Sequence, residues 1–366
     1  MIDISVLIPV YRESKIVIKT LKKLVNENVR KEIILIVDEP TQNFLRVLKQ
    51  WKKKIKVLVN KRRVGKARAL NQGIELAKGE VILFLDADVE VQDENFLEKV
   101  LEEMEDCDIL DIKKEVVKDS WLSRLTYYEY LGFNITVFLF SRILKKCPGI
   151  NGSAFAIKRE VLDEVGRFEK VVCEDTDFTI RVFLKEFRLK YSPRVKVYNH
   201  VHSNLKNWLT QRKRWYIGSA LWIKKWWREL LKFCCHKPQL VLPSLLFLYP
   251  SLTLLLIHFF LPNSIFYKLF SLFLFFLTLK FTITLPFLVF SVSVFDLVKG
   301  LITTLLTFIL FGILFKLFSK KLKFEFKWHE FFIYYFFYSL TCLILMILAL
   351  VIVCFTKKPK LKDWKV

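Results

Sequence analysis

Residues 81–90 read VILFLDADVE. Five apolar residues run straight into two aspartates, Asp86 and Asp88, with one small residue between them. A run that apolar belongs inside a protein, and an unpaired carboxylate is costly to bury. The stretch therefore reads as a buried strand whose exit delivers two acids to a site. Alternate residues of an extended segment point the same way, so both aspartates can serve one ligand. Two such donors suit Mg2+ or Mn2+, which take oxygen ligands and often share them with a diphosphate.

Outward from this stretch the same rhythm recurs. ISVLIPV (4–10), EIILIVD (32–38) and IKVLVN (55–60) are near-continuous apolar runs, and residues 14–26, 42–52 and 65–77 between them have helical spacing. The alternation predicts an α/β, Rossmann-like sheet, mostly parallel and covered on both faces. In open α/β sheets ligands bind beyond the carboxyl ends of the strands. Those ends carry Pro9, Tyr11 and Glu13, then Asp38 and Glu39, then Asp86 and Asp88. VGKARALNQG (64–73) lacks the Walker spacing, but it puts Lys66 at a helix start, where an anion is favoured.

From about residue 107 the pattern loosens. Residues 121–146 are apolar for long stretches but interrupted by Arg124, Glu129 and Asn134. They read as a helix lying on a membrane surface or under an acceptor site. Residues 152–166 read as a short strand and helix. Residues 174–185 open with acids, which favours a helix N-terminus there. Asn134 and Asn151 match glycosylation sequons, without meaning in a cytosolic domain.

The composition then changes. After residue 236 there are four acids, fourteen lysines and no arginine in an otherwise apolar, phenylalanine-rich sequence. Segments 240–261, 301–318 and 331–355 approach the ~20 residues that cross a bilayer. Segment 264–297 would be ~51 Å as one helix, against a core of ~30 Å. One helix there gives four spans, preferred on length, and puts the lysine-rich loop 319–327 outside. Two helices put that loop inside and the lysine-rich tail outside, so the positive-inside tendency does not choose between them. Trp208, Trp215 and Trp222 recur every seven residues, with Trp226 and Trp227 beyond and basic residues between. That reads as an interfacial amphipathic helix entering the membrane.

The net charge of +23 comes with neither a zinc-finger spacing nor an RNA-recognition signature. It is read as a surface for anionic membrane lipids and anionic substrates, with no nucleic acid. The seven cysteines have no metal spacing and read as reduced. No basic n-region opens the chain and Asp3 interrupts its start, so the first module is expected in the cytoplasm of a multi-pass cell-membrane protein. The expected layout is a soluble domain (1–204), an interfacial region (205–236), transmembrane helices (237–356) and a basic tail (357–366).

SVLIPVYRE, IVDEPT, GKARALNQG, LDADV, NGSAFAIKRE, EDTDF and QRKRW follow one another in this order. Together they resemble the inverting family-2 glycosyltransferases of GT-A fold over roughly residues 3–216. The Q-x-x-R-W element, Gln211, Arg214 and Trp215, resembles that of the membrane-embedded branch. The resemblance implies that Asp38 or Glu39 reads the nucleoside base, that Asp86 binds ribose or diphosphate, and that Asp88 holds the metal. It implies Asp175, with Glu174 beside it, as the general base. Arg214 would pair with the leaving diphosphate, and Trp215, with Gln211 and Gly152, would hold the acceptor. His200 and His202 are further candidate metal ligands.

The function expected is metal-dependent transfer from a UDP-linked sugar to a lipid or lipid-linked glycan. A processive polysaccharide synthase is the alternative. A non-catalytic nucleotide-binding scaffold or transporter is the rival from another class.

Overall fold

The computed structural model describes residues 2–254 and 292–356 (292–297 by backbone alone), with positions 256, 270, 272, 273, 276 and 280 between them. The predicted strands and helices of the first hundred residues are all present. They are β1 (Ile4–Tyr11), α1 (Lys15–Asn26), β2 (Lys31–Asp38), α2 (Gln42–Lys49), β3 (Lys56–Asn60), α3 (Lys66–Leu76), β4 (Val81–Leu85), β5 (Val89–Glu90) and α4 (Phe96–Met104). Local chemistry sets the starts: Ser14 and Thr41 accept backbone N–H groups from the first turns of α1 and α2. Then follow β6 (Ile109–Val116), α5 (Trp121–Leu144), β7 (Ala154–Lys158), α6 (Arg159–Val165), α7 (Glu174–Leu184), β8 (Leu189–Asn199) and α8 (Leu205–His236).

The strands form one sheet in the order β3-β2-β1-β4-β7-β6-β8-β5. Strands β1 to β4 are parallel, as expected, but β7 runs antiparallel to both β4 and β6. Alternate residues of the parallel strands enter two cores. Val6, Ile8 and Leu35 pack under α1, α2 and α4, while Leu7, Ile34 and Phe84 pack under α3. The second core does not stop at the sheet. It continues through α5 to α9 (Pro238–Leu248), α10 (Val292–Leu322) and α11 (Trp328–Phe355), which has a π-helical turn at Tyr334–Tyr338. Soluble module and apolar helices therefore share one interior.

Helix α5 corrects the first reading of residues 121–146. It does not lie on a surface; most of it is buried between β6 and the apolar helices. Its polar interruptions have internal partners. Asn134 donates to the carbonyls of Lys114 and Tyr130 and accepts from the Tyr191 hydroxyl, so its sequon is inaccessible. Glu129 forms an ion pair with fully buried Arg212 and accepts from the Tyr338 hydroxyl at 2.7 Å.

The tryptophan face needs the same correction. Trp208 is 2% exposed and donates to Tyr338, Trp222 donates to the Thr176 carbonyl, and Trp226 donates to Asp177. Three of the five indole N–H groups thus find acceptors in the protein, and Trp227 alone of the five is more than half exposed. Removing one partner of a buried ion pair strands the other charge. Arg212→Met should therefore destabilise the protein by about 3–5 kcal/mol, read as a lowered Tm, and adding Glu129→Gln should restore part of the loss.

Helices α10 and α11 contain stretches, Val298–Leu322 and Trp328–Phe355, long and apolar enough to cross a membrane. The expected span 240–261 is not one continuous helix: α9 ends at Leu248, before Pro250, whose ring cannot supply a helix N–H. Most of 264–297 and the tail 357–366 lie outside the described residues.

Candidate active site

The exit of β4 is the centre of the site. The Asp86 N–H donates to the Ser153 carbonyl of the β7 approach, and the Asp86 carbonyl accepts from the Val89 N–H. The D-A-D segment is therefore a tight turn and not the extended run read from the sequence. Ser14 ties this turn to α1 through the Ala87 carbonyl at 2.6 Å, and the His200 N–H donates to the Asp88 carbonyl.

Asp86 receives Lys66 Nζ at 2.7 Å, and the same nitrogen lies 3.3 Å from Glu174. The sequence placed Lys66 near a diphosphate, and α3 does begin at this residue. Its approach is set by Asp38. That carboxylate, 5% exposed, accepts the backbone N–H groups of Val64 and Gly65 and the Asn60 amide. Asp38 thus fixes the loop that aims Lys66, while its Oδ1 accepts only the Asn60 amide. Glu39 is more open, at φ 50°, with the Tyr11 hydroxyl 3.3 Å away. Tyr11 is half exposed under the Arg63 guanidinium, Glu13 accepts from Thr41, and half-buried Pro9 lies one strand position inward.

Burial dominates the electrostatics. It pushes the Asp88 carboxyl up to about 6, with Asp86 adding to the rise and Lys66 opposing it. It pushes Glu174 up to about 7, against Lys66 and with Asp175. For Lys66 burial alone would lower the pKa, but Asp86, Glu174 and Asp175 outweigh it and hold the ammonium charged. One consequence is testable. A carboxyl with a raised folded pKa binds protons in the native state that the unfolded chain has released. Stability is then lost as pH rises from the unfolded value, near 4.5, through about 7. Glu174→Gln removes that dependence. The stability of the variant relative to wild type should grow by roughly 1–3 kcal/mol between pH 5 and 8, measured by thermal unfolding with chelator present.

Asp175 begins the first turn of α7 beside Glu174, as its sequence position suggested. The Gly152 N–H donates to Oδ2 and the Thr176 N–H to Oδ1, both at 2.8 Å. A Cβ at position 152 would overlap Asp175, so glycine is required by this close approach. The Q-x-x-R-W helix reaches the same end of α7. The Cys173 Sγ contacts the Trp215 carbonyl, and a Cβ on Gly218 would collide with Cys173. Arg214 is near enough to act on the Cys173 thiol, together with Asp175 and Glu174. Gln211 and Trp215 are half-buried, and the Arg212 guanidinium lies 4.3 Å over the Trp215 ring. Arg212, masked in the sequence by its basic neighbours, is the residue that holds this helix.

The metal reading passes one test. Asp88 Oδ1 is a buried acceptor with no hydrogen-bond partner. Among the described residues no three His, Cys, Asp or Glu side chains gather as a cage. One or two carboxylates with an open side suit a cation that completes its shell from phosphate and water. His200 Nε2 is 2.6 Å from Glu90. His202 is exposed, and partial desolvation with Arg212 and Arg214 lowers its pKa.

Residues 5–166 match the sequence model of the family described as glycosyl transferase family 2. The matched segment, less than half of the chain, is similar to glycosyltransferases of that family. Curated relatives extend the likeness. "Probable glycosyltransferase YdaM" of Bacillus subtilis is 28% identical over 247 residues, 63% of this chain and 58% of that one. A poly-beta-1,6-N-acetyl-D-glucosamine synthase of Staphylococcus epidermidis is 27% identical over 59% of this chain and 54% of its own. A beta-monoglucosyldiacylglycerol synthase of Nostoc is 26% identical over 63% and 51%. The chain thus spans just over half the length of these relatives. The glycosyltransferase domain also shares its fold with a mannosyltransferase of Pyrobaculum calidifontis solved with GDP-Man and Mn2+. The TM-score is 0.51 at 19% identity, over 62% of this chain and 64% of that one.

Proposed function

We propose that the protein is a membrane-bound, metal-dependent, inverting glycosyltransferase that moves a sugar from a UDP-linked donor to a lipid or lipid-linked glycan. The observation that carries this reading is the meeting of Asp86, Glu174 and Asp175 around Lys66 at the β4 exit, within reach of the Arg214 helix. In this reading Asp175 Oδ takes the proton from the acceptor hydroxyl as its oxygen attacks the anomeric carbon. The carbon–oxygen bond to the diphosphate breaks on the opposite face, which inverts the configuration. The Gly152 and Thr176 N–H groups hold the carboxylate in place. Lys66 and Arg214 face the negative charge of the leaving group. Asp38 or Glu39, with Tyr11, takes the nucleoside. Mg2+ or Mn2+ held by Asp88, with Asp86, would neutralise charge on the diphosphate.

The lipid acceptor is supported by the continuous core between this domain and the apolar helices. A processive synthase is the second reading, supported by the relative named for a polymer. Solvent partition of the product separates them. Radiolabel from a nucleotide-sugar should appear in one small organic-soluble species, whereas a size ladder or high-mass polymer would select the synthase.

A further inference from the structure

Loop 323–327, between α10 and α11, is bound to the glycosyltransferase domain. Lys113 on β6 donates to the Lys323 carbonyl at 2.7 Å and sits 4.1 Å over the Phe324 ring. The N–H groups of Glu325 and Lys327 donate to the hydroxyls of Tyr127 and Tyr128 on α5 at 2.7 and 2.8 Å. A bilayer cannot lie between groups in such contact, so this loop and the domain share one side of the membrane.

Helix α11 then presents a conflict. Its last two-thirds run side by side with α8. At one end Trp208 donates to Tyr338, and at the other Lys224 Nζ donates to the Val353 carbonyl at 2.9 Å. The paired lengths, Trp208 to Lys224 and Tyr338 to Val353, are each ~22–24 Å of helix. If α11 crossed the bilayer it would carry α8 through with it. Lys213, Arg214 and Lys224 lie on that stretch, and a cation inside a bilayer is costly. Helix α7 would follow, since Trp222, Lys225 and Trp226 bind it. Yet α7 carries Glu174 and Asp175 of the candidate site.

We propose that Ser339–Phe355 does not cross the membrane but lies in its plane beneath α8, and that Thr356 stays on the side of the glycosyltransferase domain. The partner for its outer face is one leaflet of a lipid bilayer. Ile344, Ile347, Leu348, Val351, Ile352 and Phe355 form that exposed apolar face. A helix satisfies its own backbone and can lie in hydrocarbon without spanning it. Lys224 places a cation on one of the last carbonyls of the helix, that of Val353. The arrangement keeps the lysines of 319–327 on the side of the candidate site, where they can meet anionic headgroups.

The inference rests on the membrane reading of α10, and its test is independent of catalysis. The full chain would carry protease-cleavable tags at both ends and be reconstituted into sealed vesicles of phosphatidylcholine and phosphatidylglycerol. Protease is added outside, and each molecule is scored on a gel. Chains cut at both ends or at neither are expected. Chains cut at one end only, persisting after prolonged digestion and both cut once detergent is added, would overturn the proposal. Sugar transfer on the same vesicles reports the catalytic reading separately.

Discussion

Asp175→Asn should lower transfer by about 10²–10⁴-fold, the usual contribution of a positioned general base, while the nucleotide-sugar still binds. The amide keeps the volume but only one oxygen, so one of the Gly152 and Thr176 N–H groups loses its acceptor, and a melt is recorded alongside to show that the turn that starts α7 stays folded. Kinetics with a saturating donor would show the loss in kcat, and calorimetry would show donor affinity within a few-fold of wild type. Loss of donor binding with an unchanged melt would move Asp175 out of the base role and into the donor site.

The second large effect is expected at Asp88. Its Oδ1 is buried and without a partner, and burial holds its carboxyl near 6, a poor arrangement for stability alone. A cation at this oxygen would relieve both costs. Asp88→Ala should therefore abolish transfer and the response to Mn2+ and leave the protein folded, with a Tm in chelator equal to or above that of wild type. Full activity in this variant would remove the metal assignment. The Mn2+-induced rise in Tm should also vanish, a readout that needs no turnover.

Legibility followed how each residue is satisfied. Strands β1, β2 and β4 are buried by apolar side chains on both faces, so their sequences announce them. Strand β6 hides its nature because Asp111 and Lys114 pair with each other inside the protein and Lys113 reaches a carbonyl 210 residues away. Strand β8 is disguised by Pro193, beside the register shift where Ser192 Oγ collects the N–H groups of Arg194 and Val195. The strand end that carries Asp86 and the helix start that carries Glu174 and Asp175 were readable in the sequence, while the role of Asp175 came only with the family resemblance. The meeting of these acids through Lys66 could not be read there, since it depends on Asp38 holding a loop from another strand end. The tryptophans were misassigned for a related reason. Periodicity tells which residues share a face, but not whether that face meets lipid or protein, and the answer lay in Tyr338, Thr176 and Asp177.

The central claim is that these acids form a metal-dependent sugar-transfer site. The most direct measurement follows donor turnover by the full chain in nanodiscs supplied with lipid extract of the source cells. Each common nucleotide-sugar is offered in turn, with Mn2+ or with chelator, and both free nucleoside diphosphate and sugar bound to acceptor are counted. The account predicts that one donor gives the two products in equal amounts with Mn2+ and neither with chelator. Turnover undiminished by chelator, or nucleotide-sugar binding with no transfer from any donor, would contradict it.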